Sequence, residues 1–282
     1  MNMLSSRQTG GYWLLVAPMV VLVTLLYGWP VLNILWLSIT EPEPGLGNYA
    51  ELVANPGLAK LIWTTVRICT MTTIISVLAG YVIAYAITHA PPSRRSWMLT
   101  LVLLSFWISV LVRAFAWLVL LGRNGIVNVF LLDTGMISEP IAFVRNEFGV
   151  LIGMVHYMIP YAVLPLLANM QGIDARIMNA SRSLGAGPLY TFARIYLPMT
   201  IPGIVAASLL VFIISLGFYV TPAILGGGKV LMIAEYVSVQ VLVTLKWGTA
   251  AMLATLLLMG VFVLLFILSR FMKLSQLFAA RA

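Results

Sequence analysis

Acidic residues are scarce in this chain: 8 Asp and Glu stand against 16 Lys and Arg in 282 residues, and charged residues make up only 9% of the whole. All eight acids, Glu41, Glu43, Glu51, Asp133, Glu139, Glu147, Asp174 and Glu235, fall outside the long apolar runs. That absence argues against a carrier that powers itself, because proton- and sodium-coupled transporters usually hold the coupling ion with intramembrane acids or unwound backbone. Cysteine is rarer still. Cys69 stands alone, which excludes an intrachain disulfide and leaves it as a small core residue. The two histidines, His89 and His156, lie in different segments without an acid partner, so neither a metal site nor another cofactor is expected. His156 reads as a hydrogen-bonded core residue before it reads as a proton relay. A complete phosphate loop is missing too: "GGGKV" at 226–230 would need glycine where Ala223 stands and a hydroxyl where Val230 stands.

What the chain has is apolar length. It is 62% hydrophobic with a mean hydropathy of +1.05, against about 45–50% apolar residues in soluble domains, and this marks an integral membrane protein. A helix needs about 20 residues to cross the hydrocarbon core. Six runs satisfy that, at about 12–39, 61–87, 97–121, 148–170, 199–225 and 247–269, so the expectation is an all-α membrane protein, a single six-span domain over 1–282. The first run is too long for the core of a cleavable signal and is read as retained.

Positive loops stay on the cytoplasmic side. With the N-terminus inside, that side holds nine basic residues (Arg7, Arg94, Arg95, Arg176, Arg182, Arg194, Arg270, Lys273, Arg281). The other side holds five (Lys60, Arg123, Arg145, Lys229, Lys246). Both termini are therefore expected to be cytoplasmic. The net charge of +8 describes a basic cytoplasmic face, not a nucleic-acid surface, on a chain whose partners include membrane lipid. Loops this short leave no room for a soluble catalytic module, so an energy source must come from another chain.

One inter-run segment breaks the apolar monotony. In residues 171–198, containing "NASRSLGAGPLYTFARIYLP", Asp174 suits a helix N-cap, and Ile173, Ile177, Ala180 and Leu184 recur at spacings of three and four. Gly185 offers a left-handed stop, and Gly187 and Pro188 suit the start of a second helix ending near Pro198. Small residues at Ala180, Ser181, Gly185 and Ala186 would let another surface approach. On pattern alone, a docking knob and an interfacial linker lying on lipid headgroups remain equal alternatives.

The segment resembles the EAA loop of binding-protein-dependent ABC transporter permeases: E-A-A, three residues, G, nine residues, then I-x-L-P. Asn179, Ala180 and Ser181 stand at the first three positions, Gly185 at the glycine, and Ile195, Leu197 and Pro198 at the end. Asn179 in place of glutamate removes a charge. "PGIVAASLLVFIISLGFYVTPAILGGGKVLMIA" at 202–234 and "RAFAWLVLLGRNGIVN" at 113–128 are similar to the polyamine-type branch, which includes spermidine/putrescine, opine and aminophosphonate importers. The resemblance implies a permease subunit in a bacterial inner membrane, not itself an enzyme. It would work with two copies of a cytoplasmic ATPase, a second permease and an external solute-binding protein. It further implies that Asn179, Ala180, Ser181, Leu184, Gly185, Ile195, Leu197 and Pro198 belong to the ATPase-coupling loop, with a polyamine or similar small polar organic solute as substrate. A secondary carrier is the competing reading.

Candidate pathway residues are Arg113, Trp117, Phe218, Tyr219 and Thr221. Arg113 is a charge within the third run and either lines a path or snorkels; Arg67 leans toward snorkelling. Gly217 to Pro222 is the least regular part of any run, serving either a substrate path or a packing kink. Gly149 with Gly153, and Gly80 with Ala84, read as close helix packing.

Overall fold

The computed structural model describes residues 15–279, with side chains described as far as 270. Among these residues the chain is helical, without strands, and it divides into two compact units, 57–236 and the flanking segments 15–56 with 237–279. Arg7 and Arg281, counted in the charge argument, lie outside the described residues.

In the flanking unit, α1 (Leu15–Thr40) packs along α11 (Trp247–Ala279), with the short α2 (Gly47–Ala54) beside them. Asn48 fastens the turn between α1 and α2 by donating to the carbonyls of Ser38, at 3.1 Å, and Glu41, at 2.7 Å. Ser38 in turn shares a hydrogen bond with the Tyr49 hydroxyl. A Cβ at Gly248 would run into the Glu41 carbonyl, so the start of α11 must be glycine to approach that turn.

The larger unit runs α3 (Pro56–His89), α4 (Pro92–Trp107), α5 (Val110–Leu120), α6 (Ile126–Asp133), α7 (Glu147–Gln171), α8 (Ala175–Ser183) and α9 (Pro188–Leu216), then the first turn of α10 (Ile233–Leu242). Its core is built where α3, α7 and α9 meet, around Ala84, Ile87, Met158, Ala162, Leu166 and Val211. Lipid tails are as apolar as leucine, so close packing of small residues, rather than exclusion of water, decides which helices associate. The glycines show this. A Cβ on Gly80 would lie 2.9 Å from the Ala162 Cβ, and one on Gly153 would lie 2.6 Å from the Thr221 methyl. One on Gly149 would lie 2.7 Å from the Phe143 carbonyl, so both glycines of the α7 pair are close-packing positions.

Five helices are long and apolar enough to cross a membrane, and a sixth crossing needs α4 and α5 taken together. Here the expected single run at 97–121 is corrected: α4 and α5 meet at 95° across a break at Ile108 and Ser109, where Ile108 is extended. The fifth run is also corrected. Its helix begins earlier, at Pro188, and stops at Leu216, leaving Gly217 to Tyr219 irregular before the chain turns helical again at Val220 and enters a wide turn at Pro222–Gly226.

Candidate functional site

Residues 172–198 fold as a helix, a glycine turn and a helix. Asp174 caps α8, its carboxylate accepting from the Arg176 amide at 2.8 Å. At the other end Gly185 has φ +83, its amide donates to the Arg182 carbonyl and the Ala186 amide to Ser181, the paired bonds of a Schellman stop. Ser181 and Thr191, both buried, exchange a hydrogen bond of 2.9 Å that pins α8 to the start of α9. The second helix does not end near Pro198 as expected; it runs on unbroken into the membrane span. A wide turn at Phe192–Tyr196, in which the Leu197 amide reaches back to the Phe192 carbonyl, makes room for the proline ring that a regular turn would exclude.

This arrangement sorts the motif residues. Asn179, Ala180, Leu184 and Gly185 are exposed, whereas Ser181 is turned inward as the pin. Leu184, 89% exposed, and Leu189, 80% exposed, flank a shallow groove of about 510 Å³ lined by Gly185, Ala186, Gly187, Tyr190 and Ile195. Leu197 and Pro198 belong to the long helix beyond it. Side chains this apolar, left this open at the tip of a turn, form an exposed patch of the kind that marks contact with a protein or a membrane. A Cβ at Gly185 would meet nothing within 4 Å, so the space above the turn is open.

The pathway candidates divide. Arg113 is buried and donates to the carbonyls of Ser105 and Ile108 across the α4–α5 break, with its guanidinium 4.9 Å from the centre of the Tyr157 ring. A span bent without proline strands carbonyl groups in lipid, and this cation satisfies them. Around it lies an aromatic cluster. Tyr157 contacts Phe218 with ring centres 4.5 Å apart, Tyr157 and Tyr161 share a hydrogen bond of 3.3 Å, and Tyr161 meets Phe106 edge-on at 4.8 Å. Trp117 donates to His156 Nδ1 at 3.1 Å, so that histidine is hydrogen-bonded as expected, but it is exposed and not the core residue expected from sequence. Tyr219 is exposed, while Thr221 is buried against Gly153.

Three residues gain a place that sequence reasoning missed. Arg67 does not snorkel alone but pairs with Glu147 at the start of α7. Asn128 is fully buried and ties the loop after α5 together, donating to the Gly122 and Ile141 carbonyls and accepting from the Ile141 amide. Glu235, in the first turn of α10, is also buried, with one carboxyl oxygen unpaired; burial pushes its pKa up to about 7 against a small opposing pull from the Met232 backbone.

The sequence model of the family described as "Binding-protein-dependent transport system inner membrane component" matches residues 76–274. The chain belongs to this family. Among its relatives is the spermidine/putrescine transport system permease protein PotB of Haemophilus influenzae, 36% identical over 221 residues that cover 78% of this chain and 77% of the relative. The PotB protein of Escherichia coli strain K12 is 31% identical over 223 residues, covering 78% of this chain and 81% of its own. In solved structures the fold recurs in a chain of a bacterial ABC transporter involved in the import of the acidic polysaccharide alginate, with a TM-score of 0.75 and 17% identity over 95% of this chain and 97% of that one. This permease is thus a multi-pass inner-membrane component of an ABC importer, and an ion-coupled secondary carrier is not favoured.

Proposed function

We propose that this permease carries polyamines or a similar small polar organic solute inward, and that it takes its energy from a cytoplasmic ABC ATPase docked on residues 171–198. The complete assembly would contain two ATPase copies, a second permease and a periplasmic solute-binding protein, with both termini of this chain in the cytoplasm. The observation that carries the reading is the pinned helix-turn-helix: Leu184, Leu189 and Tyr190 stand exposed around the Gly185 turn on a frame held by the Ser181–Thr191 hydrogen bond. The EAA-like spacing supports it, as do the PotB relatives. For the solute, the aromatic faces of Tyr161, Phe106 and Phe218, together with Trp117 and Tyr219, are surfaces along which an ammonium group could pass, while the Tyr157 face already holds the Arg113 cation. Thr221 sits beside that path, positioned by its contact with Gly153.

The test is uptake of labelled spermidine into proteoliposomes holding this permease and its partner subunits, with loaded binding protein outside. Uptake that needs ATP inside, and persists when ion gradients are collapsed, is the expected result. Uptake driven by a gradient without the ATPase would overturn the proposal.

A further inference from the structure

On the flank of α8 away from the exposed groove lies a second cavity of about 480 Å³. It gathers residues from the end of α3, the start of α4, the end of α7, and α8 and α9. Its polar lining is Arg95, Arg182 and His89, with Asn179, Gln171 and Thr88 among them. No carboxylate lines it, and neither arginine forms an ion pair among the described residues. Two guanidinium groups on different helices therefore share one hollow with nothing to neutralise them. Each is charged at any accessible pH and presents a planar fork suited to phosphate oxygens.

Tyr196 forms part of the wall and is only 5% exposed. Its ring meets that of Tyr85 edge-on, centres 5.5 Å apart, and its hydroxyl is shut away from the hollow. The charged groups of the cavity are therefore the two guanidinium groups alone.

The depth of the cavity points to the source of that acceptor. Arg95 is flanked by Arg94 and, two residues on, by Trp97, which is 71% exposed at the first turns of α4. Basic residues next to an exposed tryptophan at a helix end mark the headgroup level of a bilayer.

We propose that this cavity binds a phosphate-bearing anion, the headgroup phosphate of an acidic membrane lipid, between Arg95 and Arg182. The bound phosphate would tie α4 to α8 and so steady the frame of the coupling segment from the membrane side. The inference needs only that this end of the bundle lies at a membrane surface, and it holds whether or not the Gly185 turn docks an ATPase.

Native mass spectrometry of the full-length permease with its partner subunits, delipidated and then offered phosphatidylglycerol or phosphatidylcholine, reads it directly. The parent should retain phosphatidylglycerol preferentially. Arg95→Gln with Arg182→Gln should lower that retention about tenfold or more, since two charge-assisted contacts are lost. Arg94→Gln with Arg176→Gln, equal in charge, should leave it unchanged, and Arg95→Lys with Arg182→Lys should keep most of it and serve as the folding control. Retention that survives excess inorganic phosphate assigns the lipid, whereas displacement by phosphate assigns a soluble phosphate to the same site. Equal retention of both lipids, or parental retention in the Arg→Gln pair, would overturn the proposal. Lipid mass is read on this chain, so loss of the ATPase is scored separately.

Discussion

Ser181 Oγ and Thr191 Oγ1 lie 2.9 Å apart, both buried, across the turn that joins α8 to α9. The exposed groove beside them draws on that bond, which together with the packing of Ile173 and Met178 against the core sets the angle between a nine-residue helix and the head of a membrane span. Ser181→Ala strands the Thr191 hydroxyl and should cost about 1–2 kcal/mol. Adding Thr191→Val should cost less than the sum of the two single changes, since both polar groups are then gone. Thermal unfolding of the four proteins of this cycle gives the coupling; strict additivity would mean the pin is not structural.

Arg113 braces a bend. The α4–α5 break leaves the Ser105 and Ile108 carbonyls to this one side chain. Arg113→Met should lose about 1–3 kcal/mol and reduce the amount of assembled complex. Arg113→Lys should recover only part of it, because an ammonium can donate to the carbonyls but lacks the planar guanidinium that Arg113 sets over the Tyr157 ring. Transport normalised to purified complex separates the roles. If the rate per complex also falls, Arg113 serves the solute path as well as the bend.

Glu235 gives the protein a pH dependence of defined sign. Its ordinary value of 4.5 is raised to about 7, so between those limits the folded protein binds more proton than the unfolded chain. The stability this group contributes is therefore lost as pH rises through that window. Glu235→Gln, which mimics the protonated form, should flatten the slope and make the protein relatively more stable near neutral pH. Melting temperatures across the window check it: a slope unchanged in the variant would mean the carboxyl is not buried as described.

Much of this architecture could be read from residue order. Apolar run lengths located the five helices long enough to cross a membrane, and Asp174 and Gly185 fixed both ends of α8 because capping and left-handed turns depend on a few local residue types. What stayed hidden was nonlocal. "SFWISV" around the break in the third run contains neither proline nor glycine, so nothing local announced a 95° bend held by an arginine one turn onward. Pro198 looked like a helix boundary, yet the widened turn before it absorbs the ring. The inward orientation of Ser181 and the pairing of Arg67 with Glu147 depend on residues 10 and 80 positions away, beyond the reach of any periodicity.

The central claim is that force from ATP hydrolysis enters through the Gly185 turn, and retention of the partner ATPase by Gly185→Leu tests it most directly. Gly185 has φ +83, where a side chain costs roughly 1–2 kcal/mol, and its surroundings are open, so a leucine there would distort the turn and project into the docking surface. No membrane-spanning residue is touched, and Asn179→Asp, exposed on the same helix, should be far milder. Complexes purified from detergent-solubilised membranes through this permease should retain much less ATPase in the Gly185→Leu protein, and hydrolysis should no longer respond to loaded binding protein. Parental amounts of ATPase, with parental stimulation and transport, would contradict the account and leave residues 171–198 as a linker on the membrane surface.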